Sequence, residues 1–226
     1  SSKTFETFPN TFKKNHKVMH TGNPIKVEFT QIESPDTKYH HNEKKCNILI
    51  FGGSQGAKFF NDTMPSCLSQ FKEMINVKHI SGHGNSDTVG ISYKHYDIES
   101  EVIGFSYDIE KFYDWAHLII SRSGSMTLSE IAASGRASIL VPYLYSTDNH
   151  QHTNAQYLET NNAAVIIQEN NEFSNNLHQL LENLVHNKKE MYNMAENAKS
   201  LFPQNSSDII LRNIKELNEN HNNSAS

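Results

Sequence analysis

The sequence predicts an α/β fold in which one parallel sheet is covered by helices on both faces. Two observations carry that expectation. From Cys46 onward, compact apolar runs alternate with helix-like segments. Strands alternating with helices, each strand a compact run, argue for a parallel sheet covered on both faces. The first run then breaks into a glycine-rich turn that opens an amphipathic segment, the signature of a buried strand leading into a helix.

Each element follows from local signals. Residues 1–25 do not read as an independent fold; Val18–His20 suits a short strand, and Thr21-Gly22-Asn23-Pro24 is a turn. Residues 34–45 are charged, carry a proline and read as a solvated loop. The stretch 47–65, NILIFGGSQGAKFFNDTMP, gives the first strand of the sheet, the glycine turn and a helix to about residue 71, interrupted or restarted at Pro65. A second strand is expected at 77–81, a loop at 82–85 and a third strand at 101–105. Residues 108–116 form a short helix with Ile109, Phe112, Tyr113 and Ala116 on one face. Leu118–Ser121 is a fourth strand, and Ser125–Ser134 is a helix closed by Gly135. The fifth strand, 138–141, is stopped by Pro142; a loop at 143–149 leads to a helix near 151–158, then a sixth strand at 164–168. From Phe173 the chain reads as helical, with Pro203 breaking it, and the tail 218–226 is expected to be frayed and disordered. The sum is a Rossmann-like sheet, whose ligands sit at the carboxyl ends of the strands.

Composition narrows the function classes. A net charge of −5 gives no general electrostatic reason to bind nucleic acid or an acidic membrane, a local basic patch aside. Two cysteines do not make an oxidised framework, which favours a reducing compartment. Mean hydropathy is −0.62, and no apolar run approaches the ~20 residues of a membrane span, so membrane contact is expected to be peripheral. No signal-peptide pattern opens the chain, and a first residue of Ser in place of Met suits a fragment or processed product.

Three polar clusters fall where strands end. In the first, Gly52-Gly53-Ser54-Gln55-Gly56 lets backbone approach a ligand and aims free helix N–H groups at an anion. It is not a P-loop, because Lys58 lacks the required glycine and Ser/Thr neighbours. It matches G-x-S-x-G, with Ser54 as nucleophile of a hydrolase, but few residues precede it and none reads as an oxyanion loop. A diphosphate seat and a plain tight turn are the other readings of this turn. The second cluster is 121–130: Ser123 to Ser125 form a small-residue helix start, and Glu130 could accept from both hydroxyls of a ribose. The plainer reading is that Ser125 caps the helix and Glu130 complements its dipole. The third, 148–155, concentrates short donors and acceptors suited to a sugar. A metal at His150 and His152 is disfavoured, since the pair shares no helix face and no clear third ligand accompanies it. His79 and His83 flank Ser81-Gly82, where a surface or turn role is expected. Phosphate seat, ribose carboxylate and sugar amides together describe a nucleotide-sugar pocket. A dinucleotide pocket would want G-x-G-x-x-G and an acid ending the second strand.

Gly22-Asn23-Pro24, Gly52 to Ala57, Arg122-Ser123-Gly124 with Thr127 and Ser129-Glu130, and Asp148 through His150-Gln151 to Asn154-Ala155 resemble the MurG family. These bacterial transferases add N-acetylglucosamine to the undecaprenyl-linked muramyl-pentapeptide precursor of peptidoglycan (lipid I to lipid II), a step of cell-wall growth, shape and division. The resemblance spans roughly residues 5–215 and implies the C-terminal, donor-binding half of a GT-B enzyme. On it, 1–25 is the remnant of an N-terminal domain or connection, 26–205 the donor domain, and 206–226 a C-terminal helix and tail. Donor contacts are implied at Gly53, Ser54, Gln55 and Gly56 for the diphosphate, and at Ser106, through its backbone, for uracil. Ser125, Met126, Thr127, Leu128, Ser129 and Glu130 would line the nucleotide, with Glu130 on the ribose; His150, Gln151 and Asn154 would read the sugar. Lys26 stands where the family usually has arginine, keeping the charge without the bidentate fork. The resemblance further implies inverting transfer from UDP-N-acetylglucosamine with no metal or cofactor, no catalytic base on this chain, and a peripheral place at the cytoplasmic face of the inner membrane. A nucleotide-sugar binding module without turnover is the alternative, and a Ser54 hydrolase a distant third.

Overall fold

The computed structural model describes residues 3–9, 11–13, 15–143 and 150–224, with backbone alone at 54–57, 150 and 218–224. The order of elements is β1 (Thr4–Glu6), β2 (Val18–His20), α1 (Glu28–Gln31), α2 (Pro35–His40), β3 (Cys46–Phe51), α3 (Gly53–Cys67), β4 (Ile75–Ile80), α4 (Ser86–His95), β5 (Ser100–Ile103), α5 (Ile109–Trp115), β6 (Leu118–Ser121) and α6 (Ser125–Ser134). There follow β7 (Ala137–Leu140), α7 (His150–Thr160), β8 (Val165–Ile166), α8 (Phe173–His186), α9 (Lys188–Ser200) and α10 (Ser206–Ser224). Strands β3 to β8 form one sheet in the order β5-β4-β3-β6-β7-β8, every pairing parallel. The expected Rossmann-like sheet is borne out.

β3 shows why the sheet needs helices on both faces, because all six of its residues are buried. Ile48 and Ile50 pack on one side with Met64, Leu68, Val77 and Leu181. Leu49 and Phe51 pack on the other with Tyr113, Ile119, Leu128 and Ile131. Burying one such side chain is worth about 1.5–3 kcal/mol.

Several boundaries differ from the expectation. The second to sixth strands lie within about two residues of their expected limits, at β4, β5, β6, β7 and β8. Pro65 does not stop the helix but sits in the last turn of α3, which ends at Cys67 before a single 3-10 turn at Ser69–Phe71. Helix α4 was not foreseen. Only Val89 and Tyr93 of it are buried, one turn apart, and Gly90 lies between them, so its periodic signal is weak. The tail is helical to Ser224 through most of the segment expected to fray.

The solvated loop expected at 34–45 is instead helix α2 and its flanks. Ser34 Oγ caps it by accepting from the Thr37 N–H at 3.3 Å, and Pro35 occupies its first turn. Tyr39 is buried; its hydroxyl donates to His117 O at 2.5 Å and accepts from the Ala137 N–H at 2.8 Å. At the end of α6, Gly135 adopts φ 61°, and a Cβ there would stand 2.7 Å from Pro35 Cγ. The start of α2 thus rests against the glycine that closes α6.

His79 is also corrected. It is not at a surface or turn: it is fully buried on β4, with Nδ1 3.0 Å from the Tyr93 hydroxyl. Burial pushes its imidazole down to about 3.

β1 and β2 pair with each other in parallel, apart from the main sheet. α10 lies against them, with Lys3 Nζ bonded to Asn213 and Asn213 Nδ2 3.4 Å from Met19 Sδ.

Candidate functional site

The strand order fixes where a ligand can sit. From β3 the chain adds β4 and β5 on one side, then returns to place β6, β7 and β8 on the other. In such a sheet the loops that leave the two strands at the reversal, here β3 and β6, diverge, and the crevice at their carboxyl ends is where ligands bind.

One wall begins at the glycine turn. Gly52 is the N-cap of α3 and has no side chain to cover the helix's first N–H groups. Gly53 adopts φ 66°, and a Cβ there would meet nothing within 4 Å. The position therefore demands glycine for its backbone conformation, not for lack of space. The N-terminus of this 15-residue helix therefore has no side-chain cap from its N-cap residue, and the helix dipole there favours an anion. Ser54, Gln55 and Gly56 lie outside the residues whose side chains are described.

The other wall is the start of α6. Its N-cap is Gly124, again without a capping side chain. The plainer reading of Ser125 as the cap is not what is found, since Ser125 is the first helical residue. Its Oγ accepts from Asn23 Nδ2 at 2.9 Å. The same Nδ2 lies 3.2 Å from Ser129 Oγ, and Asn23 Oδ1 accepts from Thr7 Oγ1 at 2.8 Å. Ser129 is buried and its hydroxyl donates to Ser125 O at 3.0 Å. Leu128 is buried in the core, so only its backbone can face a ligand. Met126 is half-exposed, and Thr127 is partly exposed beside it.

Glu130 lies one turn further in. The Tyr113 hydroxyl donates to its Oε2 at 3.0 Å. Burial pushes the carboxyl up to about 7, against a lowering by the Tyr113 hydrogen bond and the Lys26 charge and a rise from Glu110. Near neutral pH this group can both donate and accept, as paired hydroxyls require.

Further along the same end of the sheet is the loop leaving β5. Ser106 Oγ accepts from the Asp108 N–H at 3.1 Å, so its side chain is engaged within its own turn. Phe105 is half-exposed and stacks on His83 with ring centroids 5.2 Å apart. Lys26 Nζ donates to Tyr107 O at 2.9 Å and lies 3.8 Å from Glu110 Oε2.

At the far end, Gln151 Oε1 accepts from the Tyr143 N–H at 3.2 Å, and Gln151 O accepts from Ser123 Oγ at 2.9 Å. Asn154 is buried in the same helix. His150 lies outside the residues whose side chains are described. Among the described residues no group of three or more His, Cys, Asp or Glu could hold a metal ion.

The structure therefore brings Ser125, Ser129 and Glu130 together at one helix start, with Gln151 tied to the same β6 loop through Ser123. Lys26 and Ser106 stand together at the β5 loop. Sequence reasoning missed the residues that hold these in place. Asn23 and Thr7 fasten α6, Tyr113 holds Glu130, and Arg122 ties three loops. Arg122 donates to Val141 O at 3.1 Å, lies 2.6 Å from Glu169 Oε2 and packs over Phe59, Phe60 and Tyr143. Asn23 and Arg122 stood inside recognised motifs, but nothing in the sequence joined them to partners about a hundred or about twenty residues away.

Comparisons with known proteins place relatives of about one-third identity in one family. The family described as "Glycosyltransferase family 28 C-terminal domain" matches residues 47–210. The chain is 35% identical over 212 residues to the UDP-N-acetylglucosamine--N-acetylmuramyl-(pentapeptide) pyrophosphoryl-undecaprenol N-acetylglucosamine transferase of Coxiella burnetii, covering 93% of this chain and 59% of the relative. The enzyme of the same name from Acinetobacter baumannii is 35% identical over 217 residues, with 94% and 59% covered. The crystal structure of Acinetobacter baumannii MurG superposes with a TM-score of 0.82 at 31% identity, over 94% of this chain and 59% of that one. The chain thus spans 59% of the length of these relatives.

Proposed function

The chain belongs to glycosyltransferase family 28, as its C-terminal domain, and on that premise we propose that it is the donor-binding half of a MurG-like enzyme. The substrate is UDP-N-acetylglucosamine, and the reaction is transfer of the sugar to a lipid-linked muramyl-pentapeptide. The observation that carries the reading is the convergence of two uncapped helix starts, α3 and α6, with Glu130 at the crevice between β3 and β6.

In this reading the acceptor hydroxyl attacks the anomeric carbon, the bond from that carbon to the diphosphate breaks, and UDP leaves. Charge grows on the diphosphate as the bond breaks. Fixed N–H donors at the Gly53–Gly56 turn stabilise it without reorganising, which is where such a site lowers a barrier. Glu130 holds the ribose, the backbone at Ser106 meets the uracil, and His150, Gln151 and Asn154 read the sugar. The reaction calls for no metal or other cofactor, and no general base is assigned to this chain. Its lipid-linked acceptor would bring the whole protein to the cytoplasmic face of the membrane as a peripheral enzyme; no helix among the described residues is long and apolar enough to cross one.

Thermal stability with UDP-N-acetylglucosamine, UDP-glucose and UMP tests the donor site. A ligand at ~100 times its dissociation constant adds about 2.7 kcal/mol to the native state. Stabilisation by the N-acetylglucosamine donor, reduced in Glu130→Ala and Gln151→Ala, supports the reading. No shift with any uridine nucleotide overturns it. Acceptor-dependent release of UDP by the whole protein then separates a transferase from a binding module without turnover.

A further inference from the structure

Lys26 reaches the loop that leaves β5, and both of its partners belong to one short stretch. Tyr107, whose carbonyl accepts from Lys26 Nζ at 2.9 Å, lies in the loop leaving β5. Glu110, 3.8 Å from the same ammonium, lies in the first turn of α5. Glu110 Oε2 is buried and has no hydrogen-bond partner among the described groups, so the Lys26 charge is the compensation at hand. The loop is otherwise held by its own turn, through the Ser106 Oγ contact to the Asp108 N–H and the Lys111–Asp108 pair at 2.6 Å, and by the stacking of Phe105 on His83. Among the described residues Lys26 makes no hydrogen bond or ion pair with the α3 or α6 helix starts, where an anion would sit, and acts on α6 only through its charge on the Glu130 carboxyl. To reach a phosphate, the ammonium would have to leave the Tyr107 carbonyl and deprive the buried Glu110 Oε2 of its nearest opposite charge.

We propose that Lys26 is a positioning residue for the nucleoside end of the site, bracing loop 104–108 through Tyr107 and Glu110 instead of neutralising the diphosphate. A lysine suits that task better than it suits a diphosphate clamp. One carbonyl and one carboxylate oxygen are targets for a point donor, whereas a bidentate fork gains most on paired oxygens. The inference rests on the uridine-nucleotide reading of the crevice and assigns Lys26 to a different end of it.

The test titrates uridine, UMP and UDP into the 226-residue chain and into Lys26→Ala and Glu110→Ala, with amide hydrogen exchange measured on each free protein. A brace predicts that Lys26→Ala weakens all three ligands by one common factor, about fivefold for a lost hydrogen bond of ordinary strength. Glu110→Ala weakens them in the same phosphate-independent way. Exchange rises at 104–109 in both variants while the β3 and β6 amides keep their protection. A Lys26→Ala penalty that grows with each phosphate, together with tighter UDP binding by Glu110→Ala, overturns the proposal in favour of a phosphate contact. Unchanged exchange at 104–109 also overturns it. If the parent chain binds none of the three ligands, the nucleotide reading itself fails, and the exchange comparison still decides whether Lys26 braces the loop.

Discussion

The Tyr113 hydroxyl donates to Glu130 Oε2 across 3.0 Å, joining a fully buried side chain of α5 to the carboxyl that α6 turns toward the crevice. The bond favours the ionised form, yet burial outweighs it and holds the carboxyl at about 7 against an ordinary 4.5. Between those values the native protein retains a proton that the unfolded chain has released. Stability therefore falls as pH rises from about 4.5 to about 7, and the loss is complete above that range.

Glu130→Gln removes this dependence while leaving a carbonyl for Tyr113 to bond. The variant should match the parent near pH 4.5 and exceed it by on the order of 1–3 kcal/mol at pH 8. Denaturant unfolding at the two pH values checks it. A variant no more stable than the parent at pH 8 would show that the carboxyl ionises there without cost.

His79 gives the opposite sign. Its imidazole is buried neutral, pushed down to about 3 from 6.5, so the unfolded chain takes up a proton first as pH falls. Stability contributed by the neutral ring is present above pH 6.5 and is lost on acidification toward pH 3. His79→Gln should lose stability less steeply than the parent over that window, by up to about 1.4 kcal/mol per pH unit. Parallel slopes would mean that the ring is hydrated and titrates normally in the fold.

Two glycines separate conformation from space. Gly22 and Gly53 adopt φ 72° and 66°. A Cβ on Gly22 would stand 2.5 Å from Pro203 Cγ and 2.7 Å from Ser206 Oγ, while one on Gly53 would meet nothing within 4 Å. Gly53→Ala should therefore cost only the left-handed backbone, about 1–2 kcal/mol. Gly22→Ala adds overpacking of about 1–3 kcal/mol against the start of α10. Urea midpoints of the two variants give the order, and equal losses would mean that the Pro203 contact yields freely.

What could be read from the sequence was whatever a contiguous stretch encodes. The run Ile48 to Phe51 is apolar at every position because both of its faces are buried, and such runs alternating with helix-like segments announced a covered parallel sheet. Gly52-Gly53 and Gly135 were legible because left-handed or close-packed backbone leaves few residue choices. α2 was misread because its charges mask Tyr39, whose burial depends on His117 and Ala137 far along the chain. His79 was misread because a histidine on a strand looks like a loop residue until Tyr93 is placed beside it. The same limit applied at the site: Glu130 stood out within its motif, whereas its partner Tyr113 sits 17 residues earlier on another helix.

Asn23 offers the last test, because one amide there fastens two segments to α6. Its Nδ2 serves Ser125 Oγ at 2.9 Å and Ser129 Oγ at 3.2 Å, and its Oδ1 takes the Thr7 hydroxyl at 2.8 Å. Gly124 brings no capping side chain to this helix, so Asn23 does much of the work of fixing its first turn. Asn23→Ala leaves three hydroxyls short of a partner and should cost about 1–3 kcal/mol of stability. Asn23→Asp is the more informative change. The Ser and Thr hydroxyls can rotate to donate to a carboxylate, and negative charge near a helix N-terminus is favourable by about 0.3–1 kcal/mol. Folding stability should thus stay within about 1 kcal/mol of the parent, while an anion brought to the same helix start meets a like charge. UDP should bind less tightly to Asn23→Asp, and uridine should bind nearly as before. Equal losses for the two ligands would move the diphosphate away from α6 and leave the α3 turn as its seat.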